Sequence, residues 1–81
     1  MARLMFFGRF SDIISSSEMD LPDGIKSTEQ LTRWLSNRYE GFQDTYARSG
    51  TRIAVNQMMV TENTDISNED EIAYMSALSG G

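Results

Sequence analysis

The chain has 81 residues, 40% of them hydrophobic, with no cysteine and no histidine. That suits one small domain with a thin core, and it leaves out disulfides, thiolate nucleophiles, cysteine metal sites and the commonest general base. The net charge of −5, with seven basic residues scattered along the chain, argues against nucleic acid as a partner; it fits a partner protein with a basic docking surface, or serves solubility alone.

No stretch approaches the roughly 20 apolar residues of a membrane span. The first ten residues read as a strand and not as a signal peptide, so the expected location is cytoplasmic, away from the membrane. In Ala2 to Phe10, Leu4, Phe6 and Gly8 fall on one face and Arg3, Met5, Phe7 and Arg9 on the other. The face with both arginines should meet solvent. Leu4 and Phe6 then point into the core, and Met5 and Phe7 sit exposed between charges. Ser11 to Ser17 is polar and turn-prone around Ile13 and Ile14. Glu18 to Leu21 is a second short strand, ended by Pro22, and the pair reads as an antiparallel hairpin. Pro22-Asp23-Gly24 is a turn.

Ser27-Thr28-Glu29-Gln30 has the layout of a capping box, with Ser27 as N-cap and Gln30 reaching back. Leu31, Trp34, Leu35, Tyr39 and Phe42 then recur at three- and four-residue intervals as one apolar stripe. Gly41 is a natural stop. The spacing predicts a helix from Thr28 to about Tyr39, with Trp34 packed in the core. Gln43 to Thr51 is polar, contains Gly50 and reads as a loop. Arg52 to Asn56 is a third strand with Ile53 and Val55 on one face, and Gln57 to Val60 continues as a turn into a short strand. Thr61 to Asp65 is a polar connection, Ile66 a plug beneath it, and Asn68 to Asp70 a turn. Glu71 to Met75 alternates as the last strand.

Beyond it, Ser76 to Gly81 holds small residues and ends on Gly80-Gly81. Two glycines carry no side chain beyond Cα, so they can thread a narrow channel. The α-carboxylate of Gly81 is then the only reactive group at the tip. Pattern alone supports an α+β fold.

The run from Asn68 to Gly81 resembles the ending of the small subunits of molybdopterin synthase, ubiquitin-like sulfur carriers, which runs close to D-G-D-E-V-A-F-F-P-P-V-S-G-G. Asp70, Glu71, Ala73, Ser79, Gly80 and Gly81 match outright, and Ile72, Tyr74, Met75 and Leu78 keep the character. Phe6-Phe7-Gly8 with Asp12, Leu21-Pro22 and Ala54-Val55-Asn56 also resemble the family. The departures are Phe10-Ser11 before Asp12, Glu69 at a usual turn glycine, and Ser76-Ala77 where two prolines are usual. Losing the prolines should make the tail less extended and more mobile when unbound.

The resemblance implies a ubiquitin-like β-grasp: a mixed sheet with one main helix packed across one face, spanning residues 1–75, and a flexible C-terminal tail at 76–81. It also implies first and last strands side by side and parallel, joined through a crossover that the helix supplies. Such a protein does no catalysis alone. A ubiquitin-activating-like adenylyltransferase uses ATP to adenylate Gly81, a sulfur donor protein replaces the adenylate, and the resulting thiocarboxylate enters the large subunit of molybdopterin synthase. There it donates sulfur to a cyclic pyranopterin precursor, within a heterotetramer. No cofactor is stably bound. Gly81 and Gly80 are the reactive end, and Leu78 with Ser79 should anchor the tail in the partner. The thiamin-pathway sulfur carrier, a modifier linked to target lysines through Gly-Gly, and a plain binding module stay open as alternatives.

If Leu4, Phe6, Ile72 and Tyr74 face the helix, then Met5, Phe7, Ala73 and Met75 share the opposite face, joined by one of Met58 or Met59. An uncovered apolar sheet face marks a partner site, so Met5, Phe7 and Met75 are candidate partner-binding residues; half-covering by loops is the alternative. Glu69, Asp70 and Glu71, with Asp65 nearby, read as a solvated acidic turn and not a metal site, since consecutive residues rarely converge on one ion.

Overall fold

The computed structural model describes residues 1–48 and 50–76. Strand β1 (Ala2–Phe7) buries Ala2, Leu4 and Phe6 and turns Arg3 and Phe7 outward, as the alternation requires. It ends earlier than expected. Gly8 adopts φ +65°, an angle open to glycine and strained for other residues. The chain there turns into a short 3-10 helix, Gly8–Asp12, which rolls Phe10 beneath the sheet to full burial. Ile14, expected in a polar loop, is also in the core.

Strand β2 (Ser17–Met19) pairs antiparallel with β1, giving the expected hairpin. It stops short of Leu21, whose N–H donates to Asn68 Oδ1 at 2.7 Å and not to a strand neighbour. Helix α1 (Thr28–Arg38) starts at the expected cap: Ser27 Oγ accepts from the Gln30 N–H. Gln30 reaches one residue further back than an ordinary capping box, its Oε1 accepting the Lys26 N–H at 2.7 Å. Leu31 and Leu35 are buried, and Trp34 packs partly buried against the core with the Arg38 guanidinium over its ring.

The expected loop from Gln43 to Thr51 is a correction. Most of it is a second helix, α2 (Phe42–Arg48). The first helix ends at Tyr39, whose backbone is extended, and not at Gly41; Gly41, at φ +90°, instead supplies the carbonyl that accepts the Thr45 N–H of the second helix. Phe42 is fully buried and stacks on Tyr46 one turn later, and Asp44 pairs with Arg48 at 3.3 Å. Three apolar residues in seven, Phe42, Tyr46 and Ala47, give too short a repeat to separate from a loop.

Strands β3 (Arg52–Val55) and β4 (Met58–Val60) form a hairpin. Its two-residue turn has Asn56 and Gln57 at φ 53° and 69°, the left-handed pair whose twist suits flanking strands. Ile66 is buried as the expected plug, with its N–H donating to the Lys26 carbonyl. Strand β5 (Glu71–Met75) completes a five-stranded sheet of order β2-β1-β5-β3-β4. The β1–β5 pair is parallel and the others antiparallel. Leu4, Phe6, Ile72 and Tyr74 from the sheet pack with Leu31, Leu35, Phe10 and Phe42 from the helical elements in one core. This is the ubiquitin-like β-grasp, with α1 as the main helix and α2 as a shorter companion.

Candidate functional site

The strand register fixes the face left uncovered by the helices. Its middle row runs Met5, Ala73, Ala54, Met59 across β1, β5, β3 and β4. The row nearest the chain end is Phe7, Met75, Arg52. The far row is Glu18, Arg3, Glu71, with Arg3 and Glu18 ion-paired at 3.2 Å. The sequence-based assignment of Met5, Phe7, Ala73 and Met75 to one face is what the register gives. Of the two candidate methionines, Met59 lies on this face. Met58 pairs with Val55 and belongs to the helix side, although its edge position leaves it exposed. Phe7 keeps 43% of its surface exposed and Met59 57%, so the patch is apolar and open. Ala54 and Ala73 are small enough to be shielded by their neighbours, and they leave a shallow floor between the methionines.

Two clamps hold β5 in place. At its start, Asn56 accepts the Glu71 N–H on Oδ1 at 3.0 Å and donates its own N–H to the Glu71 carbonyl at 2.7 Å. Its side-chain amide also donates to Asp70 Oδ1 at 2.9 Å. Asp70 receives the Ser67 N–H as well, and these bonds, the Asn56 amide first, hold its carboxyl below the usual carboxylate range. Asp70 of the acidic trio is therefore a turn fastener, not a free ligand.

At the other end, Ser76 is buried at 9% exposure and its Oγ accepts the Arg9 N–H at 2.8 Å. A Cβ on Gly8 would overlap that hydroxyl. Gly8 thus serves the site twice, by its turn and by its bareness. Ser76 is the first residue of the expected tail and stands at one of the usual prolines; here a hydrogen bond fixes the point of departure. Leu78, Ser79, Gly80 and Gly81 lie outside the described residues.

Sequence reasoning did not single out Arg52, Ala54 or Ser76 as site residues. Period-2 alternation places Arg52 and Ala54 opposite Ile53 and Val55, so the signal was present; the Ser76–Arg9 bond joins residues 67 apart and left no local trace. A surface groove lies on the helix side, between α1 and the β3–β4 hairpin, and is lined by Thr32, Arg33, Asn37, Tyr46 and Val60 among others. Of the residues assigned to the uncovered face, Arg52 alone also lines this groove. Among the described residues, no helix is long and apolar enough to cross a membrane.

A protein-family model described as ThiS family matches residues 4–81. No curated protein matches the chain.

Proposed function

The chain belongs to the ThiS family of ubiquitin-like sulfur carriers, and on that premise we propose that it is the sulfur carrier subunit of molybdopterin synthase. The observation that carries this reading is a convergence. The three segments that most resemble the molybdopterin-pathway carriers, Phe6 to Gly8, Ala54 to Asn56 and Asp70 to Gly81, come from distant parts of the chain. The first two flank β5, one on each side. The family also takes in thiamin-pathway carriers, which typically lack the Phe-Phe-Gly opening, and that opening favours the molybdopterin side.

A free carboxylate is a poor electrophile. In the proposed cycle a Gly81 carboxylate oxygen attacks the α-phosphorus of ATP on an activating enzyme, and pyrophosphate leaves. Sulfide-level sulfur supplied by a donor protein then attacks the acyl carbon and AMP leaves, giving a thiocarboxylate. The sheet face carrying Met5, Phe7 and Met75 docks on the large subunit while Leu78 and Ser79 lead the terminus into it; the thiocarboxylate sulfur bonds to the pyranopterin precursor, and water then cleaves its acyl link, returning the Gly81 carboxylate. The chain supplies no acid or base of its own; its part is to dock, aim and present.

The test is intact-mass analysis of protein from its native host, with expression of a variant lacking Gly81. Exchange of oxygen for sulfur raises the mass by about 16 Da at the terminal acyl group. The deletion should keep the fold and lose sulfur transfer to the large subunit. Unchanged transfer without Gly81 would remove the tail from the mechanism, and a stable complex with a thiamin-pathway enzyme alone would assign the other pathway. A ladder of lysine conjugates would point to a modifier.

A further inference from the structure

The net charge of −5 suggests a basic partner, yet the charge where the tail departs has the opposite sign. Of the seven basic residues, Arg3, Arg33 and Arg48 are held in ion pairs and Arg38 lies over Trp34. Arg9, Lys26 and Arg52 are left, and among the described residues none of them is within ion-pair distance of a carboxylate. Arg9 and Arg52 both stand at the tail root and both are exposed. Arg52 is in register with Met75, next to Phe7, on the open face. Arg9 is tied through its N–H to Ser76. The strand acids of that face, Glu18 and Glu71, are at its far end, grouped about Arg3, with the Arg3–Glu71 pair four register positions from the Phe7–Met75 pair.

We propose that Arg9 and Arg52 form a basic collar at the tail root that recognises an acidic protein surface on the adenylating enzyme, around the mouth of the channel by which that enzyme receives the tail. The proposal rests on the carrier reading above and names the chemistry of the partner at that same site. A protein surface fits better than the nucleotide that activates the carboxylate. Residues 77–81, drawn out in a channel, span up to roughly 17 Å at about 3.4 Å each. That carries the reacting carboxylate well beyond the reach of side chains rooted at positions 9 and 52. Charges at the rim of an interface act on encounter rate and orientation more than on the chemical step.

The experiment uses the full chain with its adenylating enzyme and follows ATP–pyrophosphate exchange against carrier concentration at several salt concentrations. Arg9→Gln with Arg52→Gln should raise the carrier KM roughly three- to tenfold at low salt, leave kcat unchanged and flatten the salt dependence. Arg9→Lys with Arg52→Lys should restore most of the effect. An unchanged KM and salt slope in the Gln pair overturns the collar. So does a loss confined to kcat or to the KM for ATP, which would place the arginines on the nucleotide. If wild type supports no exchange at all, it is the carrier reading that fails.

Discussion

Tyr74 carries a buried hydroxyl whose hydrogen bond can be tested to the level of who donates. The ring lies among Phe6, Phe10 and Phe42, with centroids 5.7, 5.8 and 5.4 Å away. Its hydroxyl is 2.7 Å from Thr32 Oγ1. Thr32 Oγ1 also lies 2.8 Å from the Thr28 carbonyl, which can only accept. A hydroxyl has one proton to give. Thr32 gives its proton to Thr28, so Tyr74 is the donor to Thr32. Thr32→Val removes the acceptor and strands a buried phenol O–H, at a cost of about 1–3 kcal/mol. Tyr74→Phe removes the group in need of a partner and leaves Thr32 bonded to Thr28, at about 0.5–1.5 kcal/mol. The double variant leaves no hydroxyl without a partner, so its cost should fall well short of the sum. At about 2.1 cal/mol/K per residue, each kcal/mol is worth roughly 6 °C of Tm in a domain this size. Urea titrations and thermal melts of the three variants measure the cycle. Strict additivity, or Tyr74→Phe costing more than Thr32→Val, would refute the donor assignment. Burial also pushes the Tyr74 hydroxyl well above its ordinary 10.0, so the fold holds the neutral form. That contribution is whole below pH 10 and is lost as pH rises toward the elevated value, and Tyr74→Phe should flatten the alkaline limb.

Asp70 titrates with the opposite sign. Its folded pKa is lowered from 3.8 by the Asn56 amide and the Ser67 N–H, so its contribution is present above that pH and lost as pH falls through the lowered value. Asp70→Asn should therefore flatten the acid limb in a pH titration followed by circular dichroism, and an identical limb would count against the fastener role. Gly8→Ala should cost about 1–2 kcal/mol in backbone strain plus the overlap with Ser76 Oγ; in a Ser76→Gly background the strain stays and the overlap goes, so an equal penalty in both backgrounds would show that the overlap is relieved elsewhere. Phe7→Asp should weaken capture of the large subunit on the order of tenfold while Tm moves little, because the side chain is already 43% exposed; an unfolded domain would reverse the face assignment.

Local chemistry made much of this fold legible. The Leu4–Phe6 alternation, the Ser27 cap, the Ile66 plug and the β5 pattern each announce themselves within a few residues. What stayed hidden depends on distant partners or on brief signals. Helix α2 shows only Phe42, Tyr46 and the small Ala47 as apolar residues in its own span, and Phe42 also continues the stripe of α1, so a single helix with a following loop read equally well. The end of β1 is set by the left-handed angle of Gly8, which moved Phe10 from a strand to the core. The site divides in the same way. Alternation alone sorted Met5, Phe7 and Met75 onto one face. Choosing Met59 over Met58 needed the β3–β4 register, which the Asn56-Gln57 turn sets one residue at a time, and a slip of one would have exchanged them.

On the proposed carrier function, the placement of β5 is what would let a thin domain aim its terminus. A tail hung from an edge strand would inherit the fraying of that edge. Here β5 has a strand on each side, parallel β1 and antiparallel β3, and its alternate residues Ile72 and Tyr74 are fully buried. Asn56 holds the strand's first residue and Arg9 holds Ser76 immediately after its last. Sliding β5 along its neighbours by one residue would break both fastenings and turn Tyr74 out of the aromatic cluster at the same time. The position of Ser76 is therefore coupled to the packing of the core. The two prolines usual in the family stiffen the tail by its own covalent structure, whereas this chain fixes the first of those positions through the body of the domain. A substitution in the core that loosens Tyr74 should thus impair presentation of the terminus before it unfolds the protein.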